Sequence, residues 1–552
     1  MKTNFSRDCC NKQMVTVNTA KSGLPYAIIG NYRIHSSYDP QKEASRFLDH
    51  ETKKTPSLVV ILGPGLGYLI EETKKRFPCA KVLSIFYSSF FYSYCVGDNA
   101  GDDLNNMWHP DSPLSLRDFL DVHISDLDVE GIQILEWPPC AEAFSNLSSE
   151  VNHTINQVIR ERNGSIVTTL TFGKRWLKNI IYNFLFIDRI EPVRKSNKPT
   201  IIVASGPSLS LGLDLIGTYR EKVNVWALPS SLQALDYYNI EPDAVVITDP
   251  GFYSTFHFRP LLNNRKPTLI MPLTASRGVV RQCGKAALFS QSFFAEDVLL
   301  EQAGLSIESV PSLGTVAATA VEIALRTSET APIFVTGLDL CHDDLKTHVS
   351  PHSFDDLFIS KQNRLYTMRT ILFNRMYKNR TTGSQSLPLK TYAGWFSRQK
   401  QHYGGRVFRL FPSKEPMESM ISCSRNQFVT LMNSFRPESD QKGSGDQTLS
   451  TYIPATLREQ NIRISIIKNI LSSWITRISR HRGSDQIPLS IEDLQKDDVL
   501  FNLFFYFSLQ ELIELKRDLR LKTQGRIDDV YNRLCKKTEE FLQQLYERIS
   551  IL

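Results

Sequence analysis

No run in this chain reaches the 18 or so consecutive apolar residues that a bilayer-spanning helix needs. The greasiest segment, VLFNLFFYF from Val499 to Phe507, has the length of a buried helical stretch. The first residues, MKTNFSRDCCNKQMVTVN, lack the apolar core of a secretory leader, so a cytoplasmic protein without a membrane span is expected. No long lysine and arginine block is present either: 64 basic residues against 58 acidic ones leave a net charge of +6. That argues against a nucleic-acid partner, while a mild basic excess suits an anionic small ligand. Nine cysteines (Cys9, Cys10, Cys79, Cys95, Cys140, Cys283, Cys341, Cys423 and Cys535) include no CxxC pair, which argues against zinc or dithiol redox chemistry. Disorder is excluded by composition, since 41% hydrophobic and 22% charged residues are the proportions of a globular chain.

What is present is an alternation of strand and helix patterns over 552 residues, too many for one ordinary core. Ser57 to Gly67 reads SLVVILGPGLG, an apolar strand entering a glycine turn, and the helical pattern YLIEETKKRF follows. KVLSIFYSSFF and GIQILEWPP supply further strands. From residue 141 the pattern turns helical, and from Thr200 the alternation resumes with TIIVASG, VNVWAL, AVVITD, PTLIMPL and PIFVTGLDL. The expected fold class is therefore α/β: a Rossmann-like parallel sheet domain at 199–435, preceded by a smaller degenerate Rossmann-like α/β domain at 1–140. A helical connector at 141–198 joins them. A polar linker at 436–447, RPESDQKGSGDQ, leads to a helical domain at 448–552. In that last part Ile527, Val530, Tyr531, Leu534, Phe541, Leu542, Leu545 and Ile549 recur at helical spacing and form one apolar stripe, as expected of a bundle packed on the catalytic core.

The chemistry concentrates in four segments. IIVASGPSLS ends a strand at Ser205, and Gly206, Pro207 and Ser208 then open a helical turn, where free N–H groups and the helix dipole favour a phosphate. EPDAVVITDPGFYSTF puts Asp249 at a strand's C-terminal end, the ligand side of an open α/β sheet. SLGTVAATAVEIAL opens a helix of small residues at Gly314 and Thr315, although Thr315 also reads as a simple N-cap. PIFVTGLDLCHDDLKTH ends a strand at Asp339 and places His342, Asp343, Asp344 and His348 in the loop beyond. The acid pair reads as a solvated turn, and no metal site is expected.

The order GPSL, TDPGFY, GTVAATAVEIAL, then GLDL with a following histidine, resembles the core of the Maf, or motility accessory factor, proteins. It is also similar to the bacterial CMP-sialic acid sialyltransferases and, more widely, to hydroxymethylpterin diphosphokinases. The resemblance covers about 220 residues and reaches more loosely into IHSSYDPQKEASRF and VVILGPGLGYLIEE. It implies a glycosyltransferase that takes a nonulosonic acid from a CMP-activated donor to a protein Ser or Thr, flagellin being the acceptor the family suggests. No cofactor beyond that donor is implied. Gly206, Pro207, Ser208 and Asp249 would bind the nucleotide, and Gly314, Thr315 and Asp339 the donor sugar.

Departures from the pattern matter as much. Where the sialyltransferases carry two leaving-group tyrosines, this chain has Cys341 and Thr347, and the stretch LPLKTYAGW lacks the expected histidine base. His348 is the first candidate for the catalytic base and His352 the second, with His342 and Tyr392 behind them. In the N-terminal part the strand VLSIFYSS puts Phe86 and Tyr87 where a ribose-holding acid would stand, so GPGLG reads as a structural turn. Two other functions stay open: a pterin diphosphokinase-like enzyme, and a non-catalytic nucleotide-fold chaperone in flagellar assembly.

Overall fold

Apolar runs bounded by glycine turns become parallel strands in the computed structural model. It describes residues 6–7, 14–52, 54–97, 102–193, 195–262, 267–283, 285–328, 330–342, 345–378, 387–411, 416–435, 457, 459–483 and 488–552. The chain divides into two compact units, Met1–Gly173 with Ser473–Gln544, and Lys174–Ser472 with Leu545–Leu552. The helices read from the sequence as one bundle on the catalytic core are thus shared out, and most of them belong with the N-terminal unit. The linker 436–447 and the pair Asp343 and Asp344 lie outside the described residues. Among the described residues no helix is long and apolar enough to cross a membrane.

The first unit opens with an antiparallel sheet that the sequence pattern did not disclose: β1 (Ser6–Arg7), β2 (Met14–Thr19), β3 (Pro25–Ile29) and β4 (Tyr32–Arg33). A parallel sheet follows, β5 (Leu58–Leu62), β6 (Lys81–Ile85), β7 (Met107–Trp108) and β8 (Ile132–Glu136), in the order β7-β6-β5-β8. All five residues of β5 are buried, as a central parallel strand requires. Val499–Phe507 lies within the helix Asp498–Phe507, whose Leu500, Leu503, Phe504 and Phe507 are buried. The stripe from Ile527 to Ile549 is likewise buried along the helix Gln524–Ser550. Within this unit Lys516 and Arg520 reach the buried Asp128 at 2.9 and 2.8 Å, which ties the late helices to the turn Asp126–Gly131 before β8.

The GPGLG turn after β5 shows why three glycines stand there. Gly63, Gly65 and Gly67 take φ of +61°, +59° and +95°, a region L side chains rarely adopt. A Cβ on Gly65 would also run into His35. The His35 Nε2 accepts from the Leu66 N–H at 2.8 Å, and its ring lies against Tyr68 and Trp137. Burial pushes this imidazole down to about 3, so it is a neutral acceptor seated on the N–H that a phosphate would use. Tyr87, where an acid was sought, instead donates to Glu136 at 2.6 Å.

The second unit is built on nine parallel-paired strands: β9 (Arg189–Ile190), β10 (Thr200–Val203), β11 (Asn224–Ala227), β12 (Ala244–Val246), β13 (Thr268–Met271), β14 (Lys285–Leu288), β15 (Ile333–Thr336), β16 (Val407–Leu410) and β17 (Ile421–Cys423). Their order is β17-β16-β15-β10-β11-β12-β13-β14-β9. The chain runs outward from β10 to β14, then returns to lay β15 on the other side of β10, with Thr200 opposite both Asn224 and Ile333. The order reverses between β10 and β15, and in open α/β sheets the crevice at such a reversal, beyond the strands' C-terminal ends, is where ligands bind.

Candidate active site

At that reversal two loops are pressed together. The Ala204 N–H donates to the Thr336 carbonyl at 2.9 Å and the Gly206 N–H to the Gly337 carbonyl at 2.7 Å. A Cβ on Gly206 would stand 2.5 Å from both the Asp339 carboxylate and the Gly337 oxygen, and one on Gly337, at φ +67°, would stand 2.5 Å from the Ala204 oxygen. Glycine at these two positions is therefore required by the protein's own loops. Ser208 then donates its backbone N–H to Asp339 Oδ2 at 2.7 Å and its hydroxyl to Oδ1 at 2.5 Å. The buried Asp339 carboxylate caps the short 3₁₀ turn Pro207–Leu211 as an internal anion.

This revises the chemistry expected of the turn. The N–H and O–H of Ser208 are engaged by Asp339, and Pro207 has no N–H, so these groups do not present a row of free donors to a phosphate. A hydroxyl that has given its proton to a carboxylate turns its lone pairs outward, which suits a ribose hydroxyl or a base N–H better than a phosphate oxygen. Asp339, expected at the donor sugar, accepts both of these bonds and holds the turn. Below it lies a residue that the sequence reading missed: the buried Arg409 of β16, whose Nη2 donates to the Leu338 and Asp339 carbonyls at 2.7 and 3.3 Å. Its signal was a lone arginine inside the apolar strand VFRL.

The histidines form a column beside this turn. Ser205, at the exit of β10, donates to Ser230 Oγ at 2.8 Å and lies 3.1 Å from His348 Nδ1. The Val349 N–H donates to the Ser205 carbonyl at 2.8 Å, so the loop after β15 is pinned to the exit of β10 through backbone as well as side chain. His348 stacks on His352 with ring centroids 4.4 Å apart and planes within 4°. The Phe354 N–H donates to His352 Nδ1 at 3.3 Å, and the His352 N–H to Asp355 at 2.8 Å. His257, which the sequence reading passed over, meets His352 edge-on at 5.4 Å and pairs with Ser353 at 3.1 Å. Burial pushes His257 down to about 4. Its signal was a place eight residues after Asp249, in the segment leaving the same strand.

The remaining candidates are less gathered. Asp249 is exposed beyond β12; its Oδ1 accepts from the Gly251 N–H at 2.7 Å and its carbonyl from the Ser276 N–H at 2.9 Å, so it closes a turn. Thr315 caps the helix Val316–Thr327, accepting from the Ala318 N–H at 3.0 Å, and Gly314 before it is exposed at φ +75° with open space where a Cβ would be. That helix packs on β10, β12 and β15. His342 is buried, and Tyr392 is half-buried on the helix Leu387–Ser397. The structure thus joins Gly206, Ser208 and Asp339 directly, and through Ser205 it adds His348 and His352. Asp249, Gly314 and Thr315 stand at other strand and helix ends of the same sheet.

Comparison with known proteins bears on this arrangement. Residues 174–344 match the family model described as 6-hydroxymethylpterin diphosphokinase MptE-like. A protein of Treponema pallidum (strain Nichols), described only as uncharacterized, is 28% identical over 442 residues, covering 79% of this chain and 90% of that protein. A second uncharacterized protein of that organism is 24% identical over 132 residues, covering 23% of this chain and 63% of that protein. Among solved structures, a Maf glycosyltransferase from Magnetospirillum magneticum AMB-1 has the same fold, with a TM-score of 0.57 at 12% identity, over 97% of this chain and 92% of that one. The resemblance drawn from GPSL, TDPGFY and GLDL is borne out in domain and in fold: an MptE-like domain within a Maf-like architecture.

Proposed function

We propose that the sheet of the second unit carries a glycosyltransferase site, which moves a nonulosonic acid from its CMP ester to a serine or threonine hydroxyl of an acceptor protein, flagellin being the acceptor that the Maf likeness suggests. The observation that carries this reading is the histidine column, with His348 held by Ser205 at 3.1 Å and stacked on His352 beside the Gly206–Ser208 turn. When Ser205 gives its proton to Ser230, Nδ1 of His348 is the donor toward Ser205, and Nε2 is the basic nitrogen. In transfer, the acceptor oxygen attacks the anomeric carbon as the carbon–oxygen bond to the phosphate breaks. The hydroxyl proton passes to His348 Nε2, and CMP departs as a monophosphate. In this scheme Ser208 accepts from the ribose, Gly206, Pro207 and Asp249 border the nucleotide, and Gly314 with Thr315 receives the donor carboxylate at a helix start. A nucleotide-activated donor also fits a cytoplasmic location.

The test uses the whole chain with CMP-sialic acid as the probe. Expected are saturable CMP binding by calorimetry and slow release of CMP into water, both lost when the turn is disrupted. If CMP neither binds nor is released, the reading fails. A second reading, diphosphoryl transfer from ATP to a hydroxymethylpterin, is favoured by the description of the matching family model. Under it, AMP would form with the pterin present and CMP would be ignored.

A further inference from the structure

The second unit also contains a cavity of about 150 Å³ between the end of the helix Ser145–Phe186 and the last turn of the helix Gln524–Ser550, reached by the loop that leaves β13. Its lining combines Lys178, Arg277 and Arg548 with the rings of Tyr182 and Phe186 and a wall of leucine and isoleucine side chains, and none of the lining side chains is acidic. Among the described residues, no carboxylate stands within ion-pair distance of Arg277 or Arg548. Arg277 lies over the Tyr182 ring at 5.7 Å, and Arg281 lies over Phe186 at 4.4 Å, adding a further cation behind the aromatic wall. Partial burial and the nearby Arg548, Arg277 and Arg175 hold the Lys178 ammonium below the usual lysine range, so the basic groups repel one another where they meet.

The frame around the cavity is preset. From the same helix, the buried Asn179 donates to the Pro250 and Thr274 carbonyls at 3.1 and 3.0 Å, and Asn183 to those of Leu273 and Ala275 at 2.9 and 2.8 Å. Three of these four bonds hold the loop that delivers Arg277, so its position does not depend on an occupant. Mutual repulsion of fixed cations is relieved by an anion. Apolar walls gain further when that anion carries an apolar body, and a cavity of about this size holds a group as large as a benzene ring.

We propose that this cavity is a binding site for an organic phosphate monoester with a short apolar body, the phosphate taken by Arg277, Arg548 and Lys178 and the body by Tyr182, Phe186 and the aliphatic wall. The argument for this site does not rest on the transfer reaction proposed above. Arginine matches the geometry of phosphate oxygens, and the dianion answers three cations where a carboxylate answers fewer.

The test is calorimetry on the full chain with hexyl phosphate, set against inorganic phosphate, hexanol and vesicles of anionic phospholipid. Hexyl phosphate should bind at least tenfold more tightly than either inorganic phosphate or hexanol. Arg277→Ala and Arg548→Ala should each lower its affinity about tenfold, the loss of one charge-assisted contact, while the thermal midpoint stays put. The double variant Arg277→Lys with Arg548→Lys, which keeps the charge, should retain more affinity than either alanine variant. Equal affinity for inorganic phosphate would refute the apolar part, and equal affinity for hexanol the anionic part. Recruitment to vesicles without binding of hexyl phosphate would replace the proposal with a membrane-surface site. Unchanged affinity in both alanine variants would move any site elsewhere.

Discussion

Removing the Asp339 carboxylate should loosen the Pro207–Leu211 turn before any ligand is added. The carboxylate receives both the N–H and the hydroxyl of Ser208, at 2.7 and 2.5 Å, in a buried position. Hydrogen bonds to a charged group are worth about 1.5–3 kcal/mol each, and a buried donor left without a partner costs about 1–3 kcal/mol. In Asp339→Ala the Ser208 hydroxyl can turn elsewhere but its N–H cannot, so a loss of about 2–4 kcal/mol is expected. Asp339→Asn keeps one oxygen for the N–H and lets the hydroxyl accept from the amide, so about 1–2 kcal/mol is expected, with a similar cost for Ser208→Ala. Urea unfolding of the ligand-free protein reads these values, and the Asp339→Ala, Ser208→Ala cycle should show a coupling of about 1 kcal/mol or more. If Asp339→Ala unfolds at the wild-type urea concentration yet loses CMP, the carboxylate binds the donor and its role in holding the turn is wrong. Additive single costs would refute the pairing in the same way.

His348→Ala should keep CMP binding and lower turnover about a hundredfold or more, while His352→Ala costs less; a base also requires activity to rise with pH through its pKa, and a wild-type rate in His348→Ala would make the ring structural. Gly65→Ala, at φ +59° and facing His35, should destabilise the first unit by more than about 1 kcal/mol in thermal unfolding, and a neutral effect would contradict the close packing of the turn. His257 is pushed from 6.5 to about 4 in the folded chain, so it contributes stability in full above about pH 6.5, and this is lost as the pH falls from 6.5 toward 4. His257→Gln should flatten unfolding free energy over that window, and an unchanged slope would refute the burial argument.

The sequence disclosed those elements whose pattern is local. TIIV, NVWA and IFVT became buried strands because continuous apolar runs between turn residues have few other stable fates. KAAL from Lys285 to Leu288 was missed because two alanines carry little strand signal, and β9 because two residues carry none; each is a strand through its neighbours. Single positions were harder still. Nothing in GPSLS says that the anion at its N–H groups comes from Asp339, roughly 130 residues on, because the pairing is a property of strand order and not of either segment. His348 was singled out for its loop, but its tie to Ser205 and its stacking on His352 needed coordinates.

The placing of β15 against β10 has a consequence in time. Thr200 pairs with Ile333 at the middle of the sheet, although about 130 residues separate them in the chain. At a ribosomal pace of about 5–20 residues per second, that interval is on the order of 7 to 26 seconds. Until β15 arrives, one flank of β10 has its amides and carbonyls open, an unguarded edge in a nascent chain. The seam between β10 and β15, where the Gly206–Ser208 turn meets Asp339, thus stays open for that interval, and a chaperone or a competing strand would find its opening there.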